Sequence, residues 1–162
     1  MNSGTVRGRL IAALLFFVMI VAAILSGSEL SAFADANSVV FVGVGGSLLG
    51  VSAYGIDGLR RTVQTVRRGG DPAQLRCART VVAGLGARFV RVGWLGSAVG
   101  IVQMLQHLDD VQLVGPALAL ALLCPLYGHL LAMAIFEPVG DHLEVRAAWA
   151  ERSGESAAPS VG

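Results

Sequence analysis

Charged residues are scarce in this sequence, and lysine is missing altogether. Asp, Glu and Arg together make up 14% of the 162 residues, hydrophobic residues make up 54%, and the mean hydropathy is +0.68. Because soluble domains carry about 25% charged residues, this composition argues against a soluble single domain. The apolar residues fall instead into four blocks, which predict membrane spans at about residues 10–26, 39–57, 92–107 and 114–137.

The chain also lacks the residue sets that enzymes and disulfide-rich domains use. Cys77 falls in a basic segment and Cys124 in the last apolar block, so the two thiols lie at different depths and we expect no disulfide. Since no paired carboxylates, nucleophile with its base, or metal cluster falls within a plausible pocket, we expect neither an enzyme nor a cofactor. We interpret His107, Asp109 and Asp110 as a helix end and an N-cap rather than a metal site.

The last apolar block gives the strongest single signal. Residues 114–136 contain no Asp, Glu, Lys or Arg, and about 20 such residues in a helix cross the hydrocarbon core of a bilayer. The first block is ambiguous, because a basic start, an apolar run and Ala-Phe-Ala at residues 32–34 also describe a cleavable signal peptide. We favour a retained span, since the run exceeds a typical signal core and the cleavage-like site lies well beyond its end.

The arginines are unevenly distributed, and their distribution predicts the orientation of the chain. Eight of the twelve lie within a predicted loop at residues 59–91. Since positive charge in short loops resists translocation, we place this loop, the lead at residues 1–9 and the tail at residues 146–162 in the cytoplasm. The arginines are most simply a solvated loop, although they could also hold anionic membrane lipid. Without interleaved aromatic residues they do not predict nucleic-acid binding.

Helix signals interrupt this predicted loop. The pair Gly69-Gly70 ends one helix, Asp71 is a good N-cap, and Pro72 suits the first position of the next helix. One helix is therefore predicted from Pro72 to about Gln106, which extends the third span into the cytoplasm. The predicted fold class is an all-α integral membrane protein with a four-span channel domain at residues 10–145. Its tail begins helical and ends partly disordered.

Small residues recur through the second, third and fourth spans. In water so many glycines would oppose a helix, but in lipid small residues four apart let helix backbones approach closely. The glycine cluster at residues 43–55 lacks the Lys-Ser/Thr pair of a phosphate-binding loop, so helix packing is the better interpretation. The predicted packing residues are Gly46, Gly50, Gly93, Gly96, Gly100 and Gly128.

Two residues of the fourth span are candidates for function. Pro125 lies in mid-span, where it removes a backbone hydrogen bond and should kink the helix. His129 follows one turn later, and an ionisable residue inside a span is by default a functional candidate. A neutral imidazole could equally well bond a carbonyl that Pro125 frees, so both interpretations stay open. None of the predicted spans contains an acidic residue at mid-depth, which leaves His129 as their titratable candidate.

Several short motifs occur in a characteristic order along the chain. They are Gly93-Trp94-Leu95-Gly96-Ser97, Leu108-Asp109-Asp110, Gly115-Pro116-Ala117, Leu126-Tyr127-Gly128 and Phe136-Glu137-Pro138. With Val44-Gly45-Gly46-Ser47-Leu48-Leu49-Gly50 before them, they resemble the spans of the MotA/TolQ/ExbB channel superfamily. The similarity is greatest to its MotA-like stator branch.

The resemblance implies a homopentamer in the bacterial inner membrane, with both termini cytoplasmic. It also implies two copies of a single-span MotB/ExbD-like partner, whose helix carries the ion-binding aspartate and lies against the third and fourth spans. The translocated ion is then H⁺ or Na⁺. Ser97 falls at a pore hydroxyl position, Pro125 stands where threonine is expected, and Pro138 matches a proline that couples ion passage to cytoplasmic movement.

Two departures from the family pattern leave an alternative function open. The large cytoplasmic domain of flagellar members is replaced by the short loop at residues 59–91, and the usual proline at the start of the third span has no counterpart. We therefore predict a compact channel subunit of an ion-driven motor or energy-transducing complex. The alternative is a non-conducting membrane scaffold or assembly protein derived from the same family.

Overall fold

Four helices follow one another in residues 36–157, which the computed structural model describes together with the single residue Met19. They are α1 (Ala36–Arg68), α2 (Pro72–Gln106), α3 (Val111–Leu131) and α4 (Glu137–Ala157). A π-helical turn, Ala132–Phe136, joins α3 to α4 without a break. These residues contain no strand, which agrees with the predicted all-α class. The predicted lead at residues 1–9 and, apart from Met19, the predicted span at residues 10–26 lie outside the described residues.

Three segments of the described chain are long and apolar enough to cross a membrane. They are Asn37–Arg68, Pro72–Gln106 and Gln112–Ser153. The last contains 42 residues, about 60 Å of helix, which is roughly twice the hydrocarbon thickness of a bilayer. Large apolar side chains stay exposed along these segments, as at Leu48 (63%) and Leu122 (64%). Such surfaces suit contact with lipid or with other membrane helices.

Helix α1 is bent at Gly55, where the apolar span meets the basic segment. Gly55 has φ 67° and ψ 163°, so its backbone leaves the helical region while helix continues on both sides. A positive φ of this kind costs little for glycine and much more for residues with a Cβ atom. The sequence did not distinguish Gly55 from the packing glycines around it.

Only residues 69–71 separate α1 from α2, so the predicted loop at residues 59–91 is mostly helix. The backbone N–H of Gly69, whose φ is +85°, donates to the Thr65 carbonyl at 2.9 Å and closes α1. Asp71 is extended and Pro72 begins α2, as the Gly69-Gly70-Asp71-Pro72 pattern predicts, although the Asp71 side chain makes no capping bond. The helix Pro72–Gln106 has the bounds that the sequence predicts.

A buried apolar face belongs to the basal cluster, in which the first half of α2 packs against α4. Its buried members are Leu75, Ala78, Val82, Leu143 and Ala147, and Val66 of α1 packs at its edge. Spacings of three and four residues place the α2 members on one helical face. The start of the predicted tail is thus packed helix, and α4 continues to Ala157; residues 158–162 lie outside the described part.

Two ion pairs flank the basal cluster on its exposed side. Arg76 Nη2 lies 2.6 Å from Glu151 Oε1, and Arg79 Nη2 lies 2.9 Å from Glu144 Oε2. Because these side chains are largely exposed, each pair adds little stability and mainly sets the register of α4 on α2.

Candidate functional site

Helices α2 and α3 form a hairpin whose backbones touch along a seam of glycines. A Cβ atom at Gly93 would lie 2.7 Å from the Cys124 carbonyl oxygen, and one at Gly100 would lie 2.5 Å from the Ala121 nitrogen. A Cβ atom at Gly128 would lie 2.7 Å from the Phe89 carbonyl oxygen. Backbone atoms cannot move away as a flexible side chain can, so each position requires glycine.

The other predicted packing glycines lie at side-chain contacts. A Cβ atom at Gly96 would approach the Cys124 sulfur to 2.6 Å. On α1, Cβ atoms at Gly46 and Gly50 would meet Phe89 and Leu85 of α2 at 2.5 and 2.6 Å. Val42, Phe89 and Cys124 form the buried span cluster at this level, which brings α1, α2 and α3 together.

The two residues that the resemblance places on the ion path lie beside this seam. Ser97 is half-buried and follows Gly96, which contacts Cys124; Pro125 is half-buried and follows Cys124. A Cβ atom at Gly93 would also lie 3.0 Å from the Pro125 Cα atom. The structure therefore brings Ser97 and Pro125 to the same level of the hairpin. Helix α3 runs through Pro125 from Val111 to Leu131.

His129 lies on the exposed surface of the hairpin, one helical turn after Pro125 in α3. Its Nδ1 atom is 2.8 Å from the Pro125 carbonyl oxygen. Because a carbonyl can only accept, Nδ1 donates, and Nε2 is the ring nitrogen left to accept a bond or take up a proton. The ring also meets Trp94 of α2 edge to face, with centroids 6.3 Å apart. His129 thus bonds the carbonyl of Pro125 itself, not the Ala121 carbonyl that Pro125 frees, and its side chain remains exposed.

Pro138 follows the π-helical turn closely in the chain and accounts for the wider helix there. Proline has no N–H, and its ring clashes with the carbonyl four residues earlier in an α-helix. Here the Glu137 N–H donates to the Ala132 carbonyl, five residues earlier, which opens the helix above Pro138. Phe136, in the same turn, stacks on Phe89 with ring centroids 5.1 Å apart. The π turn was not predicted, although a proline inside a helical pattern was a signal for it.

The polar turn between α2 and α3 caps helices. Asp110 Oδ1 accepts a bond from the Gln112 backbone N–H at 3.0 Å, and His107 Nδ1 lies 2.9 Å from the Gln103 carbonyl. Asp110 is therefore the N-cap of α3, as predicted. Within residues 36–157, no three His, Cys, Asp or Glu side chains are placed to hold a metal ion.

Ser97 and His129 place a hydroxyl and an imidazole beside the hairpin seam. Neither α3 nor residues 92–106 of α2 contain an acidic residue. A family model of the MotA/TolQ/ExbB proton channel family matches residues 60–152, which is more than half of the chain and covers α2, α3 and most of α4. The chain belongs to the MotA/TolQ/ExbB proton channel family. It is a multi-pass helical membrane protein of that family.

Several curated proteins resemble this chain over a shorter stretch than the family model does. Chemotaxis protein PomA of Vibrio alginolyticus is 46% identical over 55 residues, and motility protein A of Cereibacter sphaeroides is 45% identical over 53 residues. Uncharacterized protein YtxD of Bacillus subtilis is 48% identical over 52 residues. These stretches cover 34%, 33% and 32% of this chain, in that order, but only 22%, 21% and 19% of the relatives.

Proposed function

We propose that this chain is a proton-channel subunit of an ion-driven motor or energy-transducing complex. The family match over residues 60–152 carries the proposal, because it falls on the hairpin and the helix that continues from it. The names of two relatives, chemotaxis protein and motility protein, favour a motor of the stator type. The transported ion is H⁺, with Na⁺ as the other candidate, and no cofactor takes part.

The ion-binding carboxylate in this proposal comes from a second protein. Neither α3 nor residues 92–106 of α2 offer an acidic side chain, so a single-span MotB/ExbD-like subunit supplies a membrane aspartate. Two copies of that subunit lie within a homopentamer of this chain in the bacterial inner membrane, with both termini cytoplasmic. The exposed apolar faces of α1 and α3 leave room for contact with further helices as well as with lipid.

Each candidate residue has a defined part in this proposal. Ser97 offers a hydroxyl beside the seam, Pro125 shapes the backbone next to it, and His129 supplies a titratable nitrogen on the same face. Pro138 couples the proposed ion path in α3 to movement of the cytoplasmic helix α4. The π turn that precedes Pro138 holds Phe136 against Phe89, and α4 begins directly after that turn. An opening or closing of that turn would move α4 relative to α2.

Co-expression with the single-span protein of a neighbouring gene tests the proposal. The complex is purified, reconstituted into vesicles and examined for proton flux with a pH-sensitive dye under an imposed potential. We expect a stable complex whose flux disappears when the partner's membrane aspartate is replaced by asparagine. A failure of every candidate partner to form a complex or to pass protons would overturn it.

A non-conducting membrane scaffold is the second candidate function. It is favoured by Pro125 at a position where threonine is expected and by the three-residue link between α1 and α2, which holds no inserted domain. The variants Ser97→Ala and Pro125→Thr separate the two functions, since both change the proposed path and neither fills the glycine seam. A scaffold would keep its assembly and its cellular phenotype in both variants, whereas a channel would change its flux.

A further inference from the structure

A basic cleft separates the lower half of α1 from the first turns of α2. It has a volume of about 620 Å³, and its polar lining includes Arg61, Gln64, Thr65, Arg68, Gln74 and Cys77. No acidic side chain lines it. The cleft therefore concentrates positive charge in a concave surface that the described chain leaves open.

The two arginines of the cleft have no partner in the described chain, as is also true of Arg60, Arg67 and Arg91 outside the cleft. Arg76 and Arg79 pair with glutamates of α4, and Arg88 donates to the Tyr54 hydroxyl at 2.9 Å. Within residues 36–157, Arg61 and Arg68 make no hydrogen bond or ion pair. A guanidinium with free N–H groups binds phosphate oxygens through two parallel hydrogen bonds.

An apolar groove lies on α1 in the residues that precede this cleft. The groove has a volume of about 460 Å³ and is lined by Val39, Val40, Val44, Ser47, Leu48 and Val51, with Gly43 at its floor. Ser47, Val51 and Tyr54 are four and three residues apart, so they share one face of the helix, and Tyr54 is the upper wall of the cleft. The groove ends at Val51 and the cleft begins at Tyr54, so the two surfaces follow one another along α1.

We propose that the cleft binds the phosphate of an anionic phospholipid, with one acyl chain lying in the α1 groove. Arg61 and Arg68 hold the phosphate from positions two turns apart on α1, while Gln64 and Thr65 between them offer hydrogen bonds to the head group. A free phosphate would use the cleft but leave the groove empty, so the succession of an exposed apolar groove and a basic cleft along one apolar helix favours a lipid. This site is separate from the hairpin seam, and its failure would leave the channel proposal standing.

Native mass spectrometry of the whole purified protein tests the proposal. Phosphatidylglycerol and phosphatidylcholine with identical acyl chains are titrated against the wild type, Arg61→Gln/Arg68→Gln, and a control pair, Arg60→Gln/Arg67→Gln. The control removes the same charge from the same helix at arginines that do not line the cleft. We expect phosphatidylglycerol to bind in preference to phosphatidylcholine, and the cleft pair to weaken that binding about 25-fold, at roughly fivefold per guanidinium. The control pair should weaken it about twofold, as general screening would.

Equal losses in the two double variants, or no preference for phosphatidylglycerol, would overturn the site. Cys77 provides a second readout that needs no arginine variant, because it is exposed in the cleft whereas Cys124 is buried. Phosphatidylglycerol should slow alkylation of Cys77 in the wild type, and phosphatidylcholine should not. Equal protection by millimolar inorganic phosphate would show a free-anion site instead. Protection that persists after complete delipidation would show that a second copy of the chain covers the cleft.

Discussion

Trp94 and His129 meet edge to face across the hairpin, with ring centroids 6.3 Å apart, while His129 Nδ1 donates to the Pro125 carbonyl. The contact fixes the imidazole on the outer surface of the seam. Nε2 is then the nitrogen through which His129 can act on an ion or a partner helix.

Replacement of His129 by leucine should lower proton flux per complex by about tenfold or more, because a positioned proton-transfer group contributes at least that much. Assembly should be unaffected, since the side chain is exposed. Flux and the yield of the purified oligomer are measured together. His107→Leu, in the exposed α2–α3 turn, is the matched control. A lower oligomer yield with unaltered flux per complex would instead assign His129 to packing.

Gly93→Ala should destabilise the protein, whereas Gly43→Ala should not. A methyl group at Gly93 would lie 2.7 Å from the Cys124 carbonyl oxygen, while one at Gly43 would meet nothing within 4 Å of the described chain. Overpacking of this kind costs about 1–3 kcal/mol. Thermal unfolding in detergent should show a lower Tm for Gly93→Ala alone. Equal Tm values would mean that the seam is looser than the structure shows.

Pro138→Ala should change ion flux without preventing assembly. The new N–H restores a donor for the Ala134 carbonyl and removes the ring that favours the π turn, so the turn can close to an α-helix. Phe136 would then lose its stacking on Phe89. Flux is compared with that of Pro116→Ala, which changes a proline in the exposed upper part of α3. Identical flux in the two variants would argue against a coupling role for Pro138.

The bend in α1 can be tested with two neighbouring glycines. Gly55→Ala places a Cβ atom at φ 67°, which costs about 1–2 kcal/mol or straightens the helix. Gly58→Ala adds a methyl group at an ordinary contact distance of 3.6 Å from Tyr54 and should be neutral or slightly stabilising. Unfolding of the two variants in detergent measures the difference. Stability that is equally high in both would show that the bend is not required.

Much of this fold follows from local signals in the sequence. The pattern Gly69-Gly70-Asp71-Pro72 predicts the break between α1 and α2, and Asp110 predicts the start of α3, because caps and helix breakers act within a few residues. The packing role of Gly93 follows from its spacing to other small residues. These features can be predicted from neighbouring residues alone, without knowing which residues pack against them.

Other features depend on contacts between distant residues and could not be predicted in this way. Gly55 bends α1, yet the residues around it resemble those around Gly50, which packs against Leu85. The burial of Leu75 against Leu143, which lies 68 positions later in the chain, is a second such feature. The His129 contact with Trp94 is likewise invisible until α2 and α3 are placed side by side.

The π turn at Ala132–Phe136 also rotates α4 about the helix axis relative to α3. Five turns of α-helix contain about 18 residues, which would carry the buried face from Cys124 to His142. His142 is exposed, however, and the buried residue is Leu143, one position later. The turn thus acts as a one-residue insertion worth roughly 100° of rotation. If the π turn closed to an α-helix, α4 would rotate and Leu143 would turn away from α2. Burial of Leu143 in the basal cluster therefore resists rotation of α4.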